Sequence, residues 1–182
     1  MLRKMVATIV VALTCVLIAA PSWAEDSADP VILTVTGNVA QPNRGPLDEF
    51  NDAVFAHLDV KFDKAFTFTL ADLKALPQRT VKAKYDNWPR EVTGTGPSLT
   101  DVLKAASAEG NKIVVQAADG YAPELTNAEL VADKLILAIS ADGKPLHMGG
   151  RGPIWLFGPK GALGDQQDDS GLAFEVIRID VQ

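Results

Sequence analysis

A glycine-rich turn is the part of the sequence best suited to binding an anion. The segment His147–Pro153 reads His-Met-Gly-Gly-Arg-Gly-Pro. Glycines allow main-chain N–H groups to come close to an anion, and the Arg151 guanidinium would supply positive charge. The same glycines also suit a tight connection between strands that needs unusual backbone angles. We favour this structural interpretation of the glycines.

Thiol and serine chemistry find little support in the sequence. The only histidines are His57 and His147, and the only cysteine, Cys15, lies in the leading segment. A chain that loses this segment has no thiol for a Cys–His pair, a disulfide or a metal site. No serine lies in the Gly-x-Ser-x-Gly motif of many hydrolases. His57 is expected to be a surface residue or to brace a loop.

The cluster Asp165–Asp169 offers several carboxylates close together. A calcium loop is one interpretation, but the cluster lacks the spacing and the closing glutamate of such loops. We therefore expect a solvated acidic loop.

The first 24 residues indicate export. Arg3 and Lys4 precede an uncharged apolar run over 5–20, and Ser22–Ala24 places small residues where a signal peptidase reads them. A membrane anchor is the alternative, but the run is short for a span and Pro21 follows at once. We expect cleavage after Ala24 and a soluble protein in the bacterial periplasm.

Size and charge narrow the class of protein further. Residues 25–182 are enough for one domain with a proper core. They carry 15 basic and 23 acidic residues, a net charge of about −8. Nucleic acids and anionic membranes have charge of the same sign. We therefore expect no nucleic-acid partner, and no membrane contact once the signal is removed.

Strand and helix patterns are short and follow no strict order. Strands are predicted at Val31–Val35, Val81–Tyr85, Ile113–Ala117, Leu135–Ile139, Ile154–Phe157 and Phe174–Val181. Helices are predicted over 70–76 after a capping pattern at Thr69, from a Thr100 cap to a C′ glycine at Gly110, and from a second capping pattern at Thr126. These patterns predict a mixed α+β domain rather than a doubly wound sheet.

Connections between these elements are predicted from turn residues. Gly94–Pro97 is predicted to be a turn, and Asp142-Gly143 a hairpin turn. The stretch 41–63 is predicted to be a long ordered loop with a helical turn or two. Apolar residues at helical spacing are expected to pack it onto the body of the protein: Leu47, Phe50, Val54 and Leu58.

Several segments in order resemble the blocks of one family. They are Thr80–Trp88, Gly96–Leu103, Val115–Tyr121, and Asp142–Leu146 leading to Arg151–Pro159. Together they resemble the oxidoreductase molybdopterin-binding domain, the fold of sulfite oxidase, over about Val31 to Val181. The small exported members that consist of this domain alone are the most similar. The resemblance implies a mixed sheet with short helices and a pocket for a molybdopterin cofactor.

The resemblance also shows where this chain departs from the enzymes. In those enzymes a cysteine thiolate binds molybdenum in a block that ends with an asparagine. The corresponding block here ends at Asn87 and has Lys84 in place of the thiolate. A lysine ammonium has no lone pair to offer a metal. Trp155 stands where the enzymes have an arginine that helps to hold the cofactor. We therefore expect no bound molybdenum, although molybdopterin stays an alternative.

The family's pocket implies a ligand site in this chain. Lys84, Arg90 and Arg151 are the cations expected to converge there, and such a cluster would concentrate an anion on an acidic protein. The alternative is that each cation pairs with a nearby acid such as Asp86, Glu91 or Asp119. The full predicted ligand-binding set is Lys84, Asn87, Arg90, Asp119, Tyr121 and Arg151.

These expectations favour an exported domain that binds a small anionic ligand or an exported partner protein without redox catalysis. The alternative is a molybdopterin-dependent oxidoreductase that holds its cofactor without a cysteine ligand. An interaction module with no ligand is a third hypothesis, because the glycines and prolines can all be structural.

Overall fold

Short strands and four short helices make up the described part of the chain, residues 29–164 and 168–182 of a computed structural model. The predicted signal peptide lies outside these residues. The mixture confirms the predicted α+β class. The elements are β1 (Val31–Gly37), α1 (Ala53–His57), β2 (Phe66–Thr69), α2 (Leu70–Ala75), β3 (Gln78–Ala83), β4 (Val92–Pro97), α3 (Leu99–Ala105), β5 (Lys112–Ala117), β6 (Glu124–Thr126), α4 (Asn127–Val131), β7 (Ile136–Ala138), β8 (Ser140–Ala141), β9 (Lys144–Pro145), β10 (Trp155–Phe157) and β11 (Val176–Val181).

A five-stranded sheet joins the two ends of the described chain. Its strand order is β2-β1-β11-β5-β6, with β1 parallel to β11 and the other pairs antiparallel. β1 is rich in β-branched residues, and its centre is fully buried. No helix in residues 29–164 or 168–182 is long and apolar enough to span a membrane.

Two smaller sheets complete the fold. One has the order β3-β4-β8-β9, and the other pairs β10 with β7. The two sheets are in direct contact: Ile139, which follows β7, donates its N–H to the carbonyl of Thr95 in β4 at 2.9 Å. All three residues of β7 and all three of β10 are buried. β7 and β10 therefore belong to the hydrophobic core, and the loops that flank them lie next to it.

β4 replaces the turn predicted at Gly94–Pro97. A Cβ at Gly94 would lie 2.7 Å from the Phe157 ring, and one at Gly96 would overlap the Leu137 carbonyl. These glycines permit close approach of neighbouring strands rather than a change of chain direction. The hairpin at Asp142-Gly143 is confirmed, with both residues at positive φ between β8 and β9.

Local capping chemistry sets the starts of the helices. At α2 the Asp72 N–H donates to Thr69 Oγ1 at 3.1 Å, and the Thr69 N–H donates to the Asp72 carboxylate at 2.8 Å. At α4 the Glu129 carboxylate accepts from the Thr126 N–H at 2.6 Å. Both predicted capping residues are confirmed.

The ends of α3 differ from the prediction. Its N-cap is Ser98, not Thr100, and Ser98 Oγ accepts from the Asp101 N–H at 3.0 Å. The helix begins earlier because the buried Leu99 N–H is held by the Leu135 carbonyl. At the other end Ser107 takes the left-handed conformation with φ +50°, so Gly110 is not the C′ residue.

The stretch 41–63 contains one helical turn, as predicted, but it packs differently. Phe50 and Val54 are 87% and 54% exposed, so two of the four predicted packing residues do not contact the core. Phe55 instead meets Phe62 edge to face, with ring centroids 6.2 Å apart. The helix is one turn long, so a single contact decides which face turns inward.

Candidate functional site

A cleft of about 460 Å³ lies between the loop after β3, the β8–β9 hairpin and the turn before β10. Trp88 and Trp155 line it together with the aliphatic Val92 and Leu146. We call it the tryptophan cleft. Its lining combines apolar surface with several charged side chains, as small-molecule sites do.

Packed aromatic rings hold the wall of the tryptophan cleft in place. The Trp88 ring centroid lies 4.9 Å from that of Tyr85, 5.3 Å from Trp155 and 5.9 Å from Phe157. Trp155 and Phe157 come from the buried strand β10 and meet edge to face at 4.7 Å. Burial raises the pKa of Tyr85 to about 12, and its hydroxyl donates to the Gly158 carbonyl at 3.1 Å.

Arg151 lies over this aromatic wall. Its guanidinium carbon is 4.4 Å from the Trp155 ring centroid and 5.7 Å from that of Trp88, which is cation–π geometry. It also pairs with Asp169, with 3.4 Å from the guanidinium nitrogens to Oδ2. The side chain keeps 41% of its surface exposed. Arg151 is therefore stacked in position and, being partly exposed, lines the cleft.

Two further cations line the tryptophan cleft. Arg90 forms an ion pair with Asp142, and Lys144 on β9 has no ion-pair partner within the described ranges. The Thr93 N–H and the Arg90 guanidinium hold the pKa of Asp142 below its ordinary value. The three cations Arg90, Lys144 and Arg151 are thus balanced by two aspartates, Asp142 on the lining and Asp169 behind Arg151, so the cleft keeps an excess of positive charge on an acidic protein.

A second cleft of about 270 Å³ shares Arg151 as part of its wall. We call it the tyrosine cleft, since Tyr121 lines it with Asp119 and Asp169. The Tyr121 hydroxyl donates to the Ser170 carbonyl, and its N–H donates to Asp119 at 2.9 Å. Burial, followed by the charge of Asp168, raises the pKa of Tyr121.

The structure divides the predicted ligand-binding residues between these clefts. Asn87, Arg90 and Arg151 line the tryptophan cleft, whereas Asp119 and Tyr121 line the tyrosine cleft. Lys84 lines neither cleft: its side chain is exposed, and its ammonium donates to the Trp88 carbonyl. The predicted convergence of Lys84 with the two arginines is wrong, because this contact holds Lys84 at the turn 84–88.

The alternative prediction is that each cation pairs with a nearby acid such as Asp86, Glu91 or Asp119. Both arginines do pair with acids, but with Asp142 and Asp169, which are distant in sequence. Two of the acids named in the prediction pair with other lysines: Lys160 binds Asp86 at 2.9 Å, and Lys82 lies 3.8 Å from Glu91.

The glycine-rich turn uses its N–H groups internally. The Gly149 N–H donates to the Glu175 carboxylate at 2.7 Å, and the Gly150 and Gly152 N–H groups donate to the His147 carbonyl at 3.2 Å. A Cβ at Gly152 would lie 2.5 Å from the backbone of Leu146. The turn is therefore a close-packed connection, and it contributes His147 and Arg151 to the tryptophan cleft.

Asp169 is the residue that sequence reasoning missed. The acidic cluster was expected to be solvated, and residues 165–167 lie outside the described ranges, but the Asp169 side chain is only 17% exposed. Its carboxylate accepts from Asn87 Nδ2 at 2.6 Å and from Trp88 Nε1 at 2.7 Å, besides pairing with Arg151. Nothing local distinguishes Asp169 from its exposed neighbour Asp168, because the donors come from distant segments.

Trp155 presents a buried donor with no acceptor. Its indole Nε1 forms no hydrogen bond within the described part of the chain, although the residue is 2% exposed and lines the tryptophan cleft. Buried polar groups in proteins almost always find a partner. The Trp155 Nε1 atom is itself enclosed, so the residue contributes its ring, not its N–H group, to the cleft.

The donor set of the clefts differs from the thiolate-bound molybdenum centre that the resemblance implies. The residue that the resemblance sets at the thiolate position is Lys84, and its ammonium donates to the Trp88 carbonyl. Among the described residues, no three histidine, cysteine or carboxylate side chains are grouped to hold a metal ion. The clefts offer cationic and N–H donors, which suit an anion better than a metal.

Asp169 should make the free energy of unfolding depend on pH in the acid range. Burial raises the pKa of its carboxyl, but hydrogen bonds from Asn87 and Trp88 with the charge of Arg151 outweigh burial and hold the pKa below its ordinary value. A depressed pKa stabilises the folded state above the unfolded value of about 3.9, and this contribution is lost as pH falls through the folded pKa. Unfolding free energies measured from pH 7 to pH 2 should therefore differ between wild type and Asp169→Asn at neutral pH and converge in acid. A difference that stays constant to pH 2 would contradict this assignment.

Comparison with known proteins found no matching family model and no matching curated protein.

Proposed function

We propose that this protein is an exported domain that binds a small organic anion in the tryptophan cleft and carries out no redox catalysis. The observation that supports the proposal is the meeting of Arg90, Lys144 and Arg151 at one aromatic-lined cleft. An exported partner protein that presents an acidic group would use the same charges. A periplasmic location, after removal of the signal, is part of the proposal.

Charge and shape together favour an organic anion. The whole chain has a net charge of −6, so an anion is repelled by most of the surface and attracted at this cleft. Arg151 stacks on Trp155 and can offer two parallel N–H donors to a carboxylate or phosphate. Val92 and Leu146 offer apolar surface beside these charges, which an inorganic ion would leave unused.

Calorimetric titration with matched probes tests this proposal. Benzoate and phenyl phosphate should bind the wild-type protein, and phenol, which has the same ring without the charge, should not. Binding of all three probes alike would show an apolar pocket, and binding of none would contradict the proposed function.

Arg151→Ala should weaken the binding of benzoate by about 1–2 kcal/mol, or roughly five- to thirtyfold in Kd. The expected loss is that of a charged hydrogen bond reduced by partial exposure and by competition from Asp169. Titration of the variant measures the effect.

Lys82→Ala is the matched control for this variant. It removes the same charge from an exposed residue of β3 that lines neither cleft. Equal losses in the two variants would mean that only the overall field of the protein attracts the anion, and that Arg151 makes no direct contact.

A further inference from the structure

Three donor side chains converge on one carboxylate at the partition between the clefts. Asn87 Nδ2 lies 2.6 Å from Asp169 Oδ1, and Trp88 Nε1 lies 2.7 Å from Oδ2. Both terminal nitrogens of Arg151 lie 3.4 Å from Oδ2. These donors come from two segments more than sixty residues apart and leave both carboxylate oxygens with partners.

We propose that Asn87, Trp88 and Arg151 form a carboxylate-binding site that Asp169 occupies from within, and that the ligand of the tryptophan cleft is an organic carboxylate that takes its place. The identity of the ligand rests on the proposed function, whereas the donor set can be tested without it.

The location of the donors connects this site to the cleft. Asn87, Trp88 and Arg151 all line the tryptophan cleft, whereas Asp169 lies on the side of the tyrosine cleft. Displacement of Asp169 would therefore open the shared wall without removing a residue of the tryptophan cleft. A ligand carboxylate would restore the same hydrogen bonds, because the donors recognise a planar pair of oxygens.

The contacts of Arg151 show why exchange at this site is feasible. Its nitrogens are at 3.4 Å from Asp169, longer than the 2.7–2.9 Å of a strong charge-assisted bond, while stacking on Trp155 holds the guanidinium in place independently. Arg151 can therefore exchange one carboxylate for another without losing its position.

Chemical rescue of Asp169→Ala tests the proposal. The variant removes the internal carboxylate and leaves its donors in place, so its Tm should fall by about 5 °C. Acetate should recover at least half of this loss, and chloride at equal ionic strength should not. Asp168→Ala is the matched control, since Asp168 is the adjacent acid and contacts Ser170 rather than the donor set. Acetate should not change its Tm.

Titration completes the test. Benzoate should bind Asp169→Ala about tenfold more tightly than it binds wild type, because it no longer competes with an internal carboxylate. No gain in affinity together with no rescue by acetate would overturn the proposal. If wild type still binds benzoate in that case, the proposed function stands. Rescue by acetate without benzoate binding by wild type would support the donor set and contradict the proposed function.

A second variant covers the case in which Asp169→Ala does not fold in chloride. Recovery of folding in acetate would then support the proposal. Asp169→Asn, which keeps the side-chain size, decides it through the same benzoate titration.

Discussion

Trp88→Ala should lower the free energy of unfolding by about 3–5 kcal/mol, the largest effect that we expect from a single side-chain truncation near the site. Trp88 is 6% exposed and contacts the rings of Tyr85, Trp155 and Phe157. Its removal leaves a cavity among these rings and deprives the partly buried Asp169 carboxylate of a donor at 2.7 Å. Chemical denaturation followed by circular dichroism measures the change, and binding of benzoate should be lost as well.

Trp88→Phe separates packing from hydrogen bonding in this prediction. A phenyl ring keeps most of the aromatic contacts and loses the indole N–H, so its cost should be about 1–2 kcal/mol. If Trp88→Ala costs no more than Trp88→Phe, the ring does not support the cleft wall in the way that the structure indicates.

Gly96→Ala should destabilise the protein by about 3 kcal/mol or more, although it adds a single methyl group. In β4 a Cβ at this position would overlap the Leu137 carbonyl and crowd the backbone of Ala138 in β7. Backbone cannot move aside as a flexible side chain can, so the two sheets would have to separate. Because β4 carries Val92 and pairs with the β8–β9 hairpin, the tryptophan cleft should be distorted too.

Gly45→Ala is the control for this substitution. A Cβ at Gly45 would meet no atom within 4 Å, so the change should stay within about 0.5 kcal/mol of wild type. Thermal unfolding of both variants provides the comparison. Equal Tm values for the two would mean that β4 and β7 are not packed backbone to backbone at Gly96.

Local chemistry explains which elements were predictable. The capping patterns at Thr69 and Thr126 involve groups three residues apart, and both helices form there. The turn at Asp142-Gly143 depends on residues that tolerate positive φ, and the hairpin forms around them. The sequence Gly94–Pro97 looks equally like a turn, but its glycines face Phe157 and Leu137, which are distant in the chain. No local pattern reports such a contact.

The site shows the same division between near and distant contacts. Asn87, Arg90 and Arg151 line one cleft, whereas Lys84 does not, because its ammonium is bound by a carbonyl four residues away. Asp169 lies in an acidic stretch that is expected to be solvated, yet it is held by donors from two other segments.

Residue types and groups a few positions apart are enough to predict the α+β class, the helix caps at Thr69 and Thr126, the hairpin turn and the cations available to a ligand. Packing between distant segments settles which of those cations meet, which glycines lie against backbone, and which aspartate is partly buried between Asn87, Trp88 and Arg151. The contacts around Asp169 join residues from 18 positions apart, for Arg151, to 82 positions apart, for Asn87, and such distances are set by the packing of β4, β7 and β10 in the core.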